Sequence, residues 1–280
     1  MNNLLTRTIT GVGIILFVMG GFWLHPISFV IAGLVMMTGT QIEYYSMIRL
    51  TGTRPQEATG IITGITAYLL STLIAARILE KEYFLLLIPM MSVVIVMELY
   101  RKTEKPFDSL AHTYFSIIYT VIPFSMIPFS AFYREGLGTI IHQNYMPFSP
   151  GIIVGFFILL WTNDTAAYLV GISIGKRRLL ERISPGKSWE GFLGGLVVTA
   201  IMGYLISGWL GVVDKIDWVI IALIVSVVGT YGDLVESMLK RSVGVKDSGS
   251  IMPGHGGFLD RFDSLILSFP LVYLYIAVLG

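Results

Sequence analysis

The 280-residue sequence contains no cysteine. Disulfide staples, thiolate catalysis and cysteine-ligated zinc or iron–sulfur centres are therefore excluded. Charge is also scarce: 13% of residues are Asp, Glu, Lys or Arg, and the formal net charge is +1. A balance so close to zero argues for neither a nucleic-acid partner nor an acidic one, so only the placement of charge can inform. No DDxxD pair occurs, which disfavours prenyl transfer, and there is no low-complexity tail, internal repeat or soluble domain. What the chain does have is apolar surface. At 54% hydrophobic residues, 12% aromatics and a mean hydropathy of +0.76, it carries more than a water-soluble core can bury. The composition defines an integral membrane protein.

The apolar runs predict an all-α polytopic protein with nine spans, at about 9–24, 27–46, 58–77, 83–99, 108–133, 150–174, 192–210, 216–240 and 263–280. The first run follows Arg7 like a signal peptide but lacks a small-residue cleavage site, so it is read as a retained span. Glu43, Tyr44 and Tyr45 read as a snorkelling carboxylate beside an interfacial aromatic belt. Gly60 and Gly64 have helix-packing spacing. Pro123 and Pro128 should bend or break the fifth span. With the N-terminus cytoplasmic and the C-terminus outside, fifteen Lys and Arg fall on the inner side and four on the outer, as the positive-inside rule requires. Residues 1–149 read as a scaffold making lipid or dimer contacts, and 150–280 as the catalytic region.

Polar chemistry is concentrated late in the chain. Trp161 to Thr165 place Asn163 and Asp164 in mid-helix, where they must face protein or water. Residues 175–191 form a basic loop with Lys176, Ser184, Lys187 and Ser188. Its GKS resembles the end of a P-loop, but Glu181 stands where that motif needs Gly, so a Walker A site is rejected. Gly171-Ile172-Ser173-Ile174-Gly175 matches a hydrolase elbow by letter only and reads as a helix-packing face. Asp233, Glu236, Ser237 and Lys240 share one face of the eighth helix, with Asp233 about 10 Å below the helix end. Asp260 and Asp263, also i, i+3, present two carboxylates to a metal or else cap the ninth helix. Between the two helices, Pro253-Gly254-His255-Gly256-Gly257 can wrap a phosphate with backbone N–H groups. Lys240, Arg241 and Lys246 supply cations for a polyphosphate. From residues alone the chain reads as a membrane enzyme of metal-assisted phosphoryl or nucleotidyl transfer at the cytoplasmic face, with a lipid as one substrate.

From Ser237 to Asp263 the pattern Ser-x-Leu-Lys-Arg, Lys-Asp-x-Gly, Pro-Gly-His-Gly-Gly-x-x-Asp-Arg-x-Asp resembles the signature of the phosphatidate cytidylyltransferases, or CDP-diacylglycerol synthases. The resemblance extends to Gly232-Asp233-Leu234-x-Glu236, to Ser184 through Gly191, and to Asp164-x-x-Ala167-Tyr168 with Gly171, Gly175 and Lys176, and so covers about the C-terminal half. It implies that CTP and phosphatidate give CDP-diacylglycerol and pyrophosphate, with Mg²⁺ and a possible second cation, in a homodimer; the Lys and Arg count puts the active site on the cytoplasmic face of the cell (inner or plasma) membrane. Carried onto this chain, the expected catalytic set is Asp233, Lys246, Asp247, Asp260 and Asp263. The expected metal ligands are Asp233, Asp260, Asp263 and Asp164. The substrate-binding set is Lys176, Ser184, Lys187, Ser188, Ser237, Lys240, Arg241, His255, Gly256, Gly257 and Arg261. The competing readings are a CTP-dependent lipid-alcohol kinase and an ion-coupled transporter with Asp164 and Asp233 as cation sites.

Overall fold

A computed structural model describes residues 3–132, 148–249, 251–252 and 256–279. Helices α1 (Asn3–Leu24), α2 (Pro26–Arg49) and α3 (Glu57–Ala75) are followed by a 3₁₀ stretch, Lys81–Leu86, that runs into α4 (Leu87–Tyr100). Then come α5 (Pro106–Ser116), a π-helical turn Ile117–Val121, α6 (Ile122–Ala131), α7 (Gly151–Ile174), α8 (Trp189–Leu210), α9 (Lys215–Ser242) and α10 (Leu259–Leu274). Among the described residues eight spans are long and apolar enough to cross a membrane, and α1 adds the shorter apolar stretch Thr8–Leu24. The protein is an all-α polytopic membrane protein.

Local signals explain several boundaries. Pro26 and Pro106 each stand in a first helical turn, where a missing N–H costs nothing. His25 caps α2 by accepting the Ile27 N–H on Nδ1 at 3.1 Å. The fifth span does not break at Pro123. One turn widens instead, so that Ile122 N–H donates to the Ile117 carbonyl five residues back, which makes room for the proline ring while the helix continues. The basic loop is not irregular either. Strands β1 (Arg178–Leu180) and β2 (Ser184–Ser188) pair antiparallel, Arg178 opposite Ser188 and Leu180 opposite Ser184.

Two compact units divide the chain: Met1–Phe129 with Ser242–Phe262, and Ser130–Arg241 with Asp263–Gly280. In the first, α1 packs on α2, α2 on α3, and α3, α4 and α5 on one another. Gly60 and Gly64 act as packing positions, because a Cβ at either would strike Tyr45 Oη or Gln41 Oε1. The space admits a buried polar network. Gln41 Nε2 donates to the Gly60 carbonyl at 3.0 Å and to Ser116 Oγ at 3.3 Å, and Tyr45 Oη meets Ser116 Oγ at 2.5 Å. Every donor so paired escapes the cost of an unsatisfied group in hydrocarbon.

In the second unit α7 lies along α8. A Cβ on Gly191 would come within 2.7 Å of the Ala167 carbonyl and 3.2 Å of Gly171 Cα, so the Gly171 segment serves close helix packing. The Trp218 side chain of α9 is fully buried and fills the place a Cβ on Gly155 would take. Replacing Gly155 with Leu forces out that ring. The expected cost is about 3 kcal/mol, read as a lower midpoint of thermal unfolding in detergent, whereas Gly208→Ala, with nothing within 4 Å, should leave the midpoint unchanged or raise it.

Candidate active site

Helix α9 carries Asp233 and Glu236 one turn apart on its buried side, and α10 carries Asp263. Gly232 brings them together: a Cβ there would lie 2.7 Å from the Asp263 carbonyl, so the two backbones approach as only glycine allows. One carboxylate oxygen from each of Asp233, Glu236 and Asp263 lies within 4.8 Å of the other two. Glu236 has no solvent exposure and Asp263 has 8%. Asp164, on α7, is close enough to act on the charge of Asp263.

Three carboxylates so close repel one another strongly where water is scarce, and two lysines lie against them. Lys187 Nζ is 2.5 Å from Asp233 Oδ2, and Lys240 Nζ is 2.6 Å from Glu236 Oε2. Ser237 Oγ donates to Asp233 Oδ1 at 3.3 Å, and Ser264 N–H to Asp263 Oδ1 at 2.6 Å. The first pair keeps partial solvent access, with the side chains 27% and 35% exposed. A donor set made wholly of carboxylate oxygen suits a hard divalent cation rather than zinc or copper. The residues present therefore fit a metal ion of that kind.

Lys187 reaches Asp233 because of the hairpin. Glu190 Oε2 accepts the N–H groups of Lys176 and Arg177 at 3.0 and 3.2 Å, and Trp189 N–H donates to the Arg177 carbonyl at 2.9 Å, closing the base of the loop. Ser188 Oγ caps α8 by accepting the Gly191 N–H at 3.1 Å. Ser184 opens β2, and Lys176 is exposed before β1. Asn163 does face protein: its Oδ1 accepts from Ser226 Oγ of α9 at 2.6 Å.

In the other unit, the turn after α9 exposes Lys246 and Asp247 and buries Ser248. Asp260 Oδ2 accepts from Gly257 N–H, Ser248 N–H and Ser248 Oγ, each at 2.9 Å. The contact to Gly257, three residues back, is a helix-capping arrangement. Of the two aspartates of α10, Asp260 thus makes capping contacts and Asp263 joins the acidic trio. Gly256 has φ +79° and a Cβ there would meet Asp260 Oδ2 at 2.5 Å, so glycine is required on both counts. Arg241 and Arg261 are exposed at the end of α9 and in the first turn of α10. His255 lies outside the described residues.

Two acidic residues exceed the sequence expectation. Glu236 was legible, since it shares a helix face with Asp233. Glu43 was not: instead of snorkelling it is 3% exposed, and Oε2 accepts from Leu259 N–H and Ser248 Oγ, both at 2.9 Å. Its partners lie more than 200 positions away, which no local pattern can signal.

Fold and site together define an integral membrane protein with a carboxylate cluster able to hold a metal ion and with cations at its edge. Residues 5–279 match the model of the cytidylyltransferase family, and the chain belongs to that family. It is 46% identical over 122 residues to a phosphatidate cytidylyltransferase of Bacillus subtilis (strain 168), covering 43% of this chain and 45% of that one. A protein of the same name from Staphylococcus aureus (strain COL) is 48% identical over 122 residues, with 41% and 45% covered. One from Haemophilus influenzae is 40% identical over 134 residues, with 46% of each chain covered. These matches span a little under half the length of the curated relatives.

Proposed function

We propose that this protein is a phosphatidate cytidylyltransferase, converting CTP and phosphatidate to CDP-diacylglycerol and pyrophosphate. Membership of the cytidylyltransferase family and the names of the relatives support the reaction class and the lipid substrate. The observation that carries the chemistry is the convergence of Asp233, Glu236 and Asp263 beside Lys187 and Lys240.

The lipid phosphate is already ionised, so no protein nucleophile is required. A lipid phosphate oxygen bonds to the α-phosphorus of CTP while the bond from that phosphorus to the bridging oxygen of the β-phosphate breaks, and pyrophosphate leaves with the electron pair. Catalysis then rests on alignment and on neutralising charge. Asp233, Glu236 and Asp263 would hold Mg²⁺, with Asp164 as a further acidic group of the same unit; Asp260 and Asp247 are acidic candidates carried by the other unit. The bound cation supplies charge neutralisation at the phosphates. Lys187 and Lys240 balance the carboxylates and offer ammonium groups to the triphosphate. In the same unit, Arg241 and Lys176 would take further anionic oxygens. The other unit carries its own anion-binding groups, Lys246, Arg261, His255 and the N–H groups of Gly256 and Gly257. The bias of Lys and Arg supports a site on the cytoplasmic side of the cell membrane, where CTP is available, and the family resemblance supports a homodimer.

Purified protein in detergent, given CTP labelled in the base, phosphatidate and Mg²⁺, is expected to form labelled CDP-diacylglycerol and pyrophosphate in equal amounts. A chelator should stop turnover and excess Mg²⁺ should restore it. Transfer of the γ-phosphate alone to a lipid alcohol would identify a kinase instead. Cation flux into proteoliposomes without nucleotide turnover would identify a transporter.

A further inference from the structure

We infer that Glu43, on α2, is a positioning residue for the 248–260 segment and, through Ser248, for Asp260. The inference rests on the proposed cytidylyltransfer only for its kinetic readout; the contacts themselves lie within one unit of the fold.

Glu43 is a buried carboxylate with no ion-pair partner among the described residues. Burying such a group is costly unless donors meet it, and the donors that do all come from one distant segment. Oε2 accepts the N–H of Leu259, the first residue of α10, and the Ser248 hydroxyl. Helix N-terminal N–H groups need an acceptor, and here another helix supplies it. Ser248 Oγ stands 2.9 Å from both Glu43 Oε2 and Asp260 Oδ2. One hydroxyl, able to donate its single proton to one carboxylate at a time, therefore stands between the two and ties the position of one to that of the other.

Two further features seat the segment on the same face of α2. Gly39, one turn before Glu43, faces the Phe258 ring, which a Cβ there would meet at 2.7 Å. Gly249 and Gly257 border the carboxylate so closely that a Cβ on either would strike Glu43 oxygens. An apolar socket, a pair of hydrogen bonds and two glycines thus converge on a span that sequence spacing assigns to scaffold. The chemistry required at position 43 is an acceptor. Glutamine can present its amide oxygen to the same two donors, and leucine cannot.

The test compares Glu43→Leu with Glu43→Gln in detergent. For Glu43→Leu, amide hydrogen exchange across 248–259 is expected to quicken at least tenfold, with the α7–α8 region unchanged. Its kcat should fall about 100-fold. Glu43→Gln is expected to restore both readouts to within about threefold of the parent protein. Unchanged exchange in Glu43→Leu, or a Glu43→Gln variant as impaired as Glu43→Leu, would overturn the inference. Should Glu43→Leu fail to fold, Ser248→Ala removes one of the two donors and should give a smaller rise in exchange over the same residues, while no rise there would count against the latch. Exchange is read without substrate. A parent protein that forms no CDP-diacylglycerol would therefore defeat the functional reading while leaving the latch decided by exchange alone.

Discussion

Asp263→Asn is expected to lower turnover by about 10³-fold or more while leaving the protein folded. The substitution keeps the size of the side chain and an oxygen able to accept the Ser264 N–H. It removes one of the three charges that converge from α9 and α10. If that charge served only the fold, its loss would relieve repulsion among groups within 4.8 Å of one another and activity would persist. If it holds the divalent cation, the same relief should appear as an unchanged or higher unfolding midpoint without Mg²⁺, and the stabilisation that Mg²⁺ gives the parent protein should disappear. Turnover within tenfold of the parent, at saturating CTP and phosphatidate, would remove Asp263 from the metal site.

Lys187→Met should produce the second largest effect, a fall of about 100-fold in kcat/KM carried mainly by a higher KM for CTP. Methionine retains an apolar stem of similar length and removes the ammonium that stands 2.5 Å from Asp233. Because both side chains keep partial access to water, the ion pair itself contributes little to stability, roughly 0–1 kcal/mol. Thermal unfolding should therefore hardly change, which separates a substrate-facing cation from a structural one. Kinetic constants within threefold of the parent would show that the lysine merely balances Asp233.

The family, the membrane class and most of the candidate site were legible because each is written locally. Spans are read from uninterrupted apolar length, and Asp233, Glu236 and Lys240 from 3.6-residue periodicity on one helix. The expectation of phosphate binding at 237–263 came from cations and glycines in one short run. Local writing also explains the misses. Pro123 was expected to bend or break its span; the helix does not break, because a single widened turn takes up the ring, a backbone solution invisible in side-chain letters. The pairing of β1 with β2 has no alternating apolar pattern to announce it, because neither strand faces a core.

By itself, the sequence determined that this is a polytopic helical membrane protein with its polar chemistry near the last two helices. Its apolar length cannot be buried otherwise, and charge in such a chain survives only where it has a use. Tertiary structure decided which carboxylates meet. The close approach at Gly232 brings Asp263 to Asp233 and Glu236, the capping geometry turns Asp260 toward Ser248 and Gly257, and Glu43 is drawn into a buried contact with the start of α10. Those choices depend on how closely backbones pack and on which donors lack acceptors. Both are properties of residues far apart in sequence, which no spacing rule along the chain can reach.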